Sequence, residues 1–468
     1  MEKSEKLQRI DRFVADTRTA LFVRRADELL MIRPDKTMKI NSTAATILEG
    51  LYNREGRSAA AVLSELAGRL NVEEERLLED TRKLIEAVGA VLNEDFSERE
   101  CLSFGPFDRE MVRYPTLSEI ALTYGCQNRC SFCYASSPHR SGEHRHMTTG
   151  QIEEVMEKIF HQAHVPSLSF TGGEPTLHPN LPGLIRYGAG LGLRINLITN
   201  GIRASRREYA RILVEAGLAS AQVSLESADP GVHDGIVGRK GAHALTVAGV
   251  RNFQRLGIHV HTNTTLCAKN LDRAGDHIRF VARELKLKTL SMNMVIRTGT
   301  ALDQTRVGVT YTEVAGRLPG LLETAGSEGV KLVWYSPIPY CIFNPVLHGL
   351  GAKSCACVDG ILSVDPAGNV LPCSSFGNGI GSLLERSFDD IYNSRLAQYW
   401  RKKKFTPPVC RNCPDVDVCG GGCPLYWDAA ESFDEIPQPA ADPARRRRWE
   451  KKRRRSRTFG VQPPGPGV

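Results

Sequence analysis

Three cysteines stand close together in the segment from Gly125 to Tyr134, at Cys126, Cys130 and Cys133. Iron–sulfur clusters are normally held by four cysteine thiolates. A C-x3-C-x2-C spacing supplies only three, so this loop can hold three corners of a [4Fe–4S] cubane and leave its fourth iron open. An open iron can bind a substrate-like molecule, and the spacing therefore predicts a reactive site.

Two predicted strands lead into the residues that could do this chemistry. The strand Leu117–Tyr124 ends just before Cys126, and the strand Ser167–Thr171 runs into the motif Gly172-Gly173-Glu174-Pro175. Glycines allow a backbone to approach a ligand closely because they carry no Cβ. A Gly-Gly-Glu sequence alone could be any turn, but about forty residues after a cysteine loop it is a specific signal.

The two motifs together resemble those of the radical S-adenosylmethionine (SAM) enzymes, whose cysteine signature has an aromatic residue, here Phe132, before its third cysteine. The resemblance implies that Cys126, Cys130 and Cys133 ligate a [4Fe–4S] cluster whose open iron chelates SAM. Reductive cleavage of SAM then gives a 5′-deoxyadenosyl radical, with the cofactor supplying the chemistry and the protein the positioning.

The resemblance also assigns a role to the second motif. It implies that the strand end at Gly172 and Gly173 holds the ammonium group of SAM, with the Glu174 carboxylate nearby. All three residues are therefore predicted to bind this cofactor.

Apolar segments alternate with amphipathic helical segments between residues 115 and 310. This alternation predicts a parallel sheet, and six βα units agree with the partial (β/α)6 TIM-type barrel that the resemblance implies. The predicted class is therefore α/β. The remaining strands are predicted at Ile195–Thr199, Ala221–Leu225, Ile258–Leu266 and Thr289–Ile296.

Ligands in such sheets bind at the carboxyl ends of the strands. Polar residues stand at these ends, and we predict that they contact SAM: Asn200, Ser224, Glu226 and Asn263. Ser224 and Asn263 are expected to contact its nucleoside. The alternative for each is an ordinary turn or capping role.

A second group of cysteines lies between residues 341 and 423. From Cys357, ten residues lead to Gly368 and four more to Cys373, and the run Cys410-x2-Cys413-x5-Cys419-x3-Cys423 follows. This pattern resembles the SPASM auxiliary-cluster domain, found in enzymes that mature peptides and sulfatases and in related tetrapyrrole-modifying enzymes. The full pattern has seven cysteines, whereas this chain has six, because no cysteine follows Cys423.

The resemblance implies one complete auxiliary iron–sulfur cluster, held by Cys357, Cys373 and Cys423 with Cys355 or Cys341 as the fourth ligand. A second cluster would use Cys410, Cys413 and Cys419. Its last ligand stays open between water, a substrate, and the carboxylates of Asp428, Asp434, Glu435 and Asp442, and a single cluster is a further alternative.

Zinc is the alternative metal at both cysteine groups. A zinc knuckle at the first group could recruit His139, His144 or His146, and a zinc ribbon could use the C-x2-C and C-x3-C pairs of the second, because zinc also accepts thiolates.

Cysteine usage predicts a reducing compartment. Of 13 cysteines, only Cys101 and Cys267 fall outside the two groups, and disulfides would consume cluster ligands. The first residues lack the apolar core of a signal peptide, and no run approaches the ~18 uninterrupted apolar residues that a membrane span needs. We expect a cytoplasmic, oxygen-sensitive protein.

The first hundred residues predict a separate domain. Short strands at Leu21–Val23, Leu29–Ile32 and Thr37–Ile40, with turns at 25–27 and 34–35, precede three helices, the first capped by Asn41 or Ser42. This winged-helix-like α+β pattern resembles the PqqD-like peptide chaperone of pyrroloquinoline quinone biosynthesis, which implies binding of a leader peptide as an added strand. A DNA-binding winged helix or a packing module is the alternative.

The C-terminal residues carry a different signal. Residues 445–457 have a net charge of +9, whereas the whole chain carries +8, so the rest of the molecule is close to neutral. We expect a solvated tail after an acidic, Pro-rich linker, and nucleic acid is not expected as a partner. The predicted division is residues 1–100, 115–310, 335–430 and 431–468, for leader domain, barrel, auxiliary-cluster domain, and linker with tail.

The predicted function is modification of a ribosomally made precursor peptide by a radical SAM enzyme, supplied with electrons by a flavodoxin- or ferredoxin-type donor. The outcome could be a crosslink, a thioether, an epimerisation or a backbone excision. Two alternatives are a tetrapyrrole side-chain oxidase and a winged-helix iron–sulfur regulator that binds DNA.

Overall fold

The computed structural model describes residues 2–32, 36–53, 56–93, 95, 102–103, 112–137 and 146–437. These residues form two compact units, and the chain passes from one to the other between Tyr114 and Pro115. Several predicted features lie outside the described residues: the turn at 34–35, Cys101, His139, His144, Asp442 and the basic segment 445–457.

The N-terminal unit combines a small antiparallel sheet with four helices. Its strands pair in the order β1-β2-β3-β4, with bounds Leu21–Arg24, Leu29–Ile32, Lys36–Ile40 and Leu102–Ser103. Its helices α1 to α4 span Lys3–Thr17, Ser42–Tyr52, Ala59–Leu70 and Glu74–Leu92.

The three expected strands and three expected helices of this unit are present. The Asn41 side chain caps α2 by accepting a hydrogen bond from the Ala44 N–H at 2.8 Å. Helix α1 was not predicted, because its only fully buried residues are Ile10 and Val14 and the remaining positions are mostly polar or charged.

Six parallel strands form the centre of the second unit, so the predicted α/β class and partial barrel are confirmed. They pair in chain order as β5 to β10, with bounds Leu117–Thr123, Ser167–Gly172, Arg194–Thr199, Ser220–Ser224, His259–Leu266 and Thr289–Met294. Buried side chains such as Phe170 and Ile195 line the sheet. The helices between these strands, α5 to α10, span Thr149–Glu157, Leu181–Leu191, Arg207–Glu215, Pro230–Val237, Ala242–Arg255 and Ala274–Arg283.

The sheet extends beyond the six predicted strands on both sides. After helix α11 (Tyr311–Ser327), strand β11 (Lys331–Trp334) pairs in parallel with β10. At the opposite edge, β12 (Ile361–Val364) pairs in parallel with β5, and β13 (Asn369–Leu371) and β14 (Gly381–Ser382) follow antiparallel. Strands from the cysteine-rich segment therefore complete the barrel sheet.

The remaining helices are short. Helices α12 to α15 span Phe388–Tyr392, Arg395–Arg401, Val416–Cys419 and Pro424–Ala430. Cys419 ends α14, and Cys423 is the N-cap residue of α15. In the part of the chain that the structure describes, no helix is both long and apolar enough to cross a membrane.

Candidate active site and cluster-binding cysteines

The first cysteine loop leaves β5 and is held by two other loops of the barrel. Its backbone N–H groups at Arg129 and Ser131 donate to carbonyl oxygens at the end of α8, at 2.8 and 2.9 Å. The Thr300 N–H donates to the Cys133 carbonyl at 3.0 Å, and the Thr300 hydroxyl donates to the Cys130 carbonyl at 3.1 Å. These bonds fix the loop independently of any bound cluster.

Two glycines permit this close packing. Gly238 and Gly299 both have positive φ, at 64° and 54°. A Cβ added to Gly238 would lie under 3.0 Å from the Arg129 carbonyl oxygen, and one added to Gly299 would lie under 3.0 Å from the carbonyl oxygens of Cys133 and Tyr134. Any larger residue would therefore push the cysteine loop away from the barrel.

The three thiols of this loop share one environment. Cys126, Cys130 and Cys133 are each partly exposed, and the Cys126 sulfur accepts a hydrogen bond from the Asn128 N–H at 3.4 Å. Burial, and then the charges of Glu174 and Cys133, raise the pKa of Cys126 to about 12. Burial, and then the Cys133 and Cys126 thiols, raise the pKa of Cys130 well above its usual value. Bound iron would favour the thiolate forms, because a coordinating thiol is deprotonated.

The glycine motif packs directly against the end of β5. The N–H groups of Gly173 and Glu174 donate to the carbonyls of Thr123 and Gly125, at 2.7 and 2.9 Å. A Cβ on Gly173 would lie 2.6 Å from the Tyr124 carbonyl oxygen. The motif thus forms one wall beside the start of the cysteine loop.

The Glu174 carboxylate is turned into the protein. It is fully buried and accepts hydrogen bonds from the Thr176 N–H and hydroxyl, the Thr199 hydroxyl and the Asn200 N–H, at 2.6 to 3.1 Å. Burial raises its pKa. This carboxylate therefore holds the ends of β6 and β7 together beside the cysteine loop.

Asn200 links the end of β7 to the cysteine loop. Its side-chain oxygen accepts a hydrogen bond from the Gln127 side chain at 3.1 Å, and its amide nitrogen lies 3.9 Å from the Cys126 sulfur. The predicted strand-end residue therefore lies beside a predicted cluster ligand.

The ends of β8, β9 and β10 bring the other predicted residues together. Ser224 is paired in register with Asn263, whose amide donates to Asn293 at 3.0 Å. The Glu226 carboxylate is buried, accepts a hydrogen bond from the Thr265 N–H at 2.8 Å, and has its pKa raised to about 8 by burial. Phe132 lies in the cysteine loop and is half-buried.

Arg297 was missed by sequence reasoning. It stands three residues before Thr300, in the loop that follows β10 and contacts the cysteine loop, and its buried Nε has no hydrogen-bond partner. A guanidinium with a buried free donor can bind a carboxylate. The signal available in the sequence was a cationic residue just beyond a strand end.

The second cysteine group divides into two sets. The sulfur atoms of Cys355 and Cys357 lie 3.2 Å apart, Cys357 also hydrogen-bonds with Cys373, and Cys355 and Cys373 act electrostatically on Cys423. The first set is therefore Cys355, Cys357, Cys373 and Cys423. This arrangement favours Cys355 over Cys341 as the fourth member.

The second set contains Cys410, Cys413 and Cys419. After burial, Cys419 and Cys413 raise the pKa of Cys410, and Cys413 raises that of Cys419. Cys341 belongs to their neighbourhood. Partial burial, and then repulsion from Cys419, Cys410 and Cys413, raises its pKa to about 12.

The donor chemistry of both sets suits iron–sulfur clusters, which prefer thiolates. All twelve cysteines among the described residues are free thiols. Within the same residues, no three His, Cys, Asp or Glu side chains form a group that could hold a single metal ion.

Comparison with known proteins identifies both cysteine regions. Residues 120–281 match the radical SAM superfamily, and residues 355–414 match the SPASM iron–sulfur cluster-binding domain. The chain therefore contains a radical SAM domain followed by a SPASM domain. Its cofactors are SAM, the [4Fe–4S] cluster that binds SAM, and auxiliary iron–sulfur clusters in the SPASM region.

Three similar proteins illustrate the range of the match. The chain is 28% identical to a PqqA peptide cyclase of Streptomyces rochei, over 65% of this chain and 83% of the relative. It is 25% identical to an AdoMet-dependent heme synthase of Oleidesulfovibrio alaskensis, over 69% of this chain and 88% of that relative. In fold it resembles Streptococcus suis SuiB bound to precursor peptide SuiA, with a TM-score of 0.66 and 13% identity. The likeness covers 90% of this chain and 98% of the SuiB chain.

Proposed function

We propose that this radical SAM enzyme modifies a ribosomally synthesised precursor peptide. The observation that carries the proposal is the meeting of the cysteine loop, the glycine motif and the polar ends of β7 to β10 at one edge of the barrel sheet. Among similar proteins, the PqqA peptide cyclase acts on a peptide by its name, and the SuiB likeness extends over 90% of the chain.

Within this proposal, Cys126, Cys130 and Cys133 hold the SAM-binding cluster. When bound and reduced by the electron donor, this cluster and SAM would supply radical chemistry directed at a C–H bond of the substrate. Gly172 and Gly173 let this motif pack against the end of β5, because a Cβ on either would lie under 3.0 Å from a backbone carbonyl oxygen, and the strand end is proposed to hold the ammonium group of SAM.

Other residues of the site orient these groups. Glu174 and Asn200 hold the ends of β6 and β7 against the cysteine loop through a continuous set of hydrogen bonds. Ser224 and Asn263 are proposed to contact the nucleoside, and the free Nε of Arg297 is proposed to bind a carboxylate. Glu226, with its raised pKa of about 8, is proposed to be a protonated neighbour of this pocket near neutral pH.

The N-terminal unit is proposed to bind the leader of the precursor as an added strand, as the PqqD-like resemblance implies. Among the described residues, the outer edge of β3 is paired with Leu102–Ser103 only at Lys39 and Ile40. The Ile40 N–H points to the β2 side, where it donates to the Glu28 carbonyl. Alternation along the strand therefore turns the Thr37 N–H toward the outer edge.

This geometry gives a test of leader binding. Thr37→Pro removes an outward donor without breaking the β2 ladder, so the affinity for a leader peptide should fall about fivefold to tenfold, for one hydrogen bond of about 1–1.5 kcal/mol. Thr37→Val is the matched control and keeps the donor. Equal affinity of both variants by fluorescence anisotropy, at unchanged thermal stability, would exclude this edge.

The test of the function itself is the intact mass of a short peptide encoded beside the gene, after anaerobic co-expression with the enzyme. A mass change with the wild type, and none with the Cys126→Ala/Cys130→Ala/Cys133→Ala variant, would establish peptide modification. Loss of two hydrogens would indicate a crosslink or thioether, and loss of a larger fragment would indicate excision. An unchanged mass calls for deuterium uptake, which reports epimerisation.

A heme-related substrate is the second candidate, because heme synthases are among the similar proteins at 25% identity. The same preparation incubated with a tetrapyrrole and SAM would discriminate the two. Turnover of the tetrapyrrole, with neither mass change nor deuterium uptake in the peptide, would replace the proposal. A flavodoxin- or ferredoxin-type donor and a cytoplasmic location are part of the proposal in either case.

A further inference from the structure

The fourth ligand of the second auxiliary set is missing from its expected place. Its usual last cysteine lies after Cys423, where this chain has no cysteine. One of the acidic alternatives is already engaged, because the Glu435 carboxylate accepts hydrogen bonds from the Thr312 N–H and hydroxyl, each at 2.8 Å, and from the Tyr426 hydroxyl. These bonds hold the carboxylate against helix α11.

A segment far upstream in sequence packs on this set instead. The Tyr340 N–H donates to the Cys419 sulfur at 3.3 Å, which places the residue next to Cys341 in direct contact with the set. A Cβ on Gly422 would lie 3.1 Å from the Pro339 ring, so Pro339, two residues before Cys341, also packs against the glycine turn after Cys419.

Cys355, the other candidate for a fourth ligand, belongs to the first set. Cys355 lies 3.2 Å from Cys357, and the buried Lys403 ammonium donates to the Cys355 carbonyl at 2.6 Å and to the Asp359 carboxylate at 2.7 Å. Cys423, at the start of α15, donates its N–H to the Tyr311 hydroxyl at 2.8 Å. The first set thus has four cysteines of its own and leaves Cys341 free for the second.

We infer that Cys341 is the fourth ligand of a second auxiliary [4Fe–4S] cluster, together with Cys410, Cys413 and Cys419. The electrostatic interaction of Cys341 with these three thiols agrees with the packing of its neighbours. The cysteine lies outside residues 355–414, the segment that matches the SPASM domain, so the domain match alone does not include it.

Each auxiliary cluster would have four thiolate ligands and no open iron, so a substrate would not coordinate to either cluster. Both clusters would then be confined to electron transfer or structural support, and the SAM-binding cluster alone would keep an open iron. The proposed ligands are this chain's own cysteines and are the same whichever substrate is modified.

The test uses the full chain in the Cys126→Ala/Cys130→Ala/Cys133→Ala background, reconstituted anaerobically, so that only auxiliary iron is counted. The parent should hold about eight irons per chain, four for each [4Fe–4S] cluster. Cys341→Ala should either lose about four of them or, after ferricyanide oxidation, show a [3Fe–4S] signal by electron paramagnetic resonance, because one iron has lost its protein ligand. Cys267→Ala, which removes a cysteine outside both sets, is the matched control.

Double variants decide which set contains Cys341. Cys341→Ala should add no further spectral change to Cys413→Ala, and it should add a second change to Cys355→Ala. The reverse pattern would assign Cys341 to the first set and overturn the inference. A Cys341→Ala protein that matches Cys267→Ala in iron, sulfide and spectrum would overturn it as well.

Discussion

Replacing Gly299 with alanine tests whether the barrel itself holds the first cysteine loop in place. The residue has φ of 54°, and an added Cβ would lie 2.7 Å from the Tyr134 carbonyl oxygen and closer still to that of Cys133. Reaching an ordinary contact of 3.4 Å requires a shift of about 0.7 Å at Tyr134 alone. That shift would strain the hydrogen bonds from Thr300 to the loop.

The magnitude follows from two costs. Alanine in a left-handed conformation costs about 1–2 kcal/mol, and forcing atoms into a packed site costs about 1–3 kcal/mol more. Gly241→Ala is the matched control, because Gly241 has φ of 78° and nothing lies within 4 Å of its added Cβ. The control should lose only about 1–2 kcal/mol of unfolding free energy, and Gly299→Ala about 2–5 kcal/mol.

The assays are anaerobic urea unfolding and the rate of SAM cleavage to 5′-deoxyadenosine. We expect Gly299→Ala to cleave SAM at least about tenfold more slowly than Gly241→Ala. This corresponds to an activation free energy that is higher by about 1.4 kcal/mol because the loop is displaced. Equal urea midpoints and equal cleavage rates for the two variants would refute the argument that this glycine supports the cluster loop.

Three further changes probe other parts of the molecule. Lys403→Met removes a buried ammonium beside Cys355, an interaction of about 1–2 kcal/mol. A redox titration should then show the reduction potential of the first auxiliary cluster lowered by about 50–100 mV. An unchanged potential would contradict this. Glu174→Gln replaces the oxygen that accepts from the Asn200 N–H by an amide donor and should cost about 1–3 kcal/mol in urea unfolding, and a variant as stable as the wild type would show that the contact is dispensable. Burial lowers the pKa of His277 to about 3, so its contribution to stability is present above pH 6.5 and is lost as the pH falls. The free energy of unfolding should fall by about 3 kcal/mol between about pH 6.5 and 4 through this residue. His277→Gln should flatten that part of the stability profile, and an unaltered slope would assign it to other groups.

Local sequence patterns determined the fold class and most of the barrel. The six central strands lie within two residues of their predicted bounds, because long apolar runs between amphipathic helices leave little choice of element. Helix α1 was not predicted because few of its residues are apolar and buried. The short strands β11 to β14 were not predicted, since four or fewer residues carry no clear period and pair only where tertiary structure supplies a neighbouring edge.

The same division holds for the site. The number and spacing of the cysteines determined that the chain has a three-thiolate loop and a second cysteine-rich region, because a compact motif needs only local chain geometry to present its ligands. Only the tertiary structure decided the direction of the Glu174 carboxylate, the place of Arg297 and the separation of Cys341 from Cys355. Cys341 and Cys419 are far apart along the chain, and no spacing rule can tell which folded segments will meet.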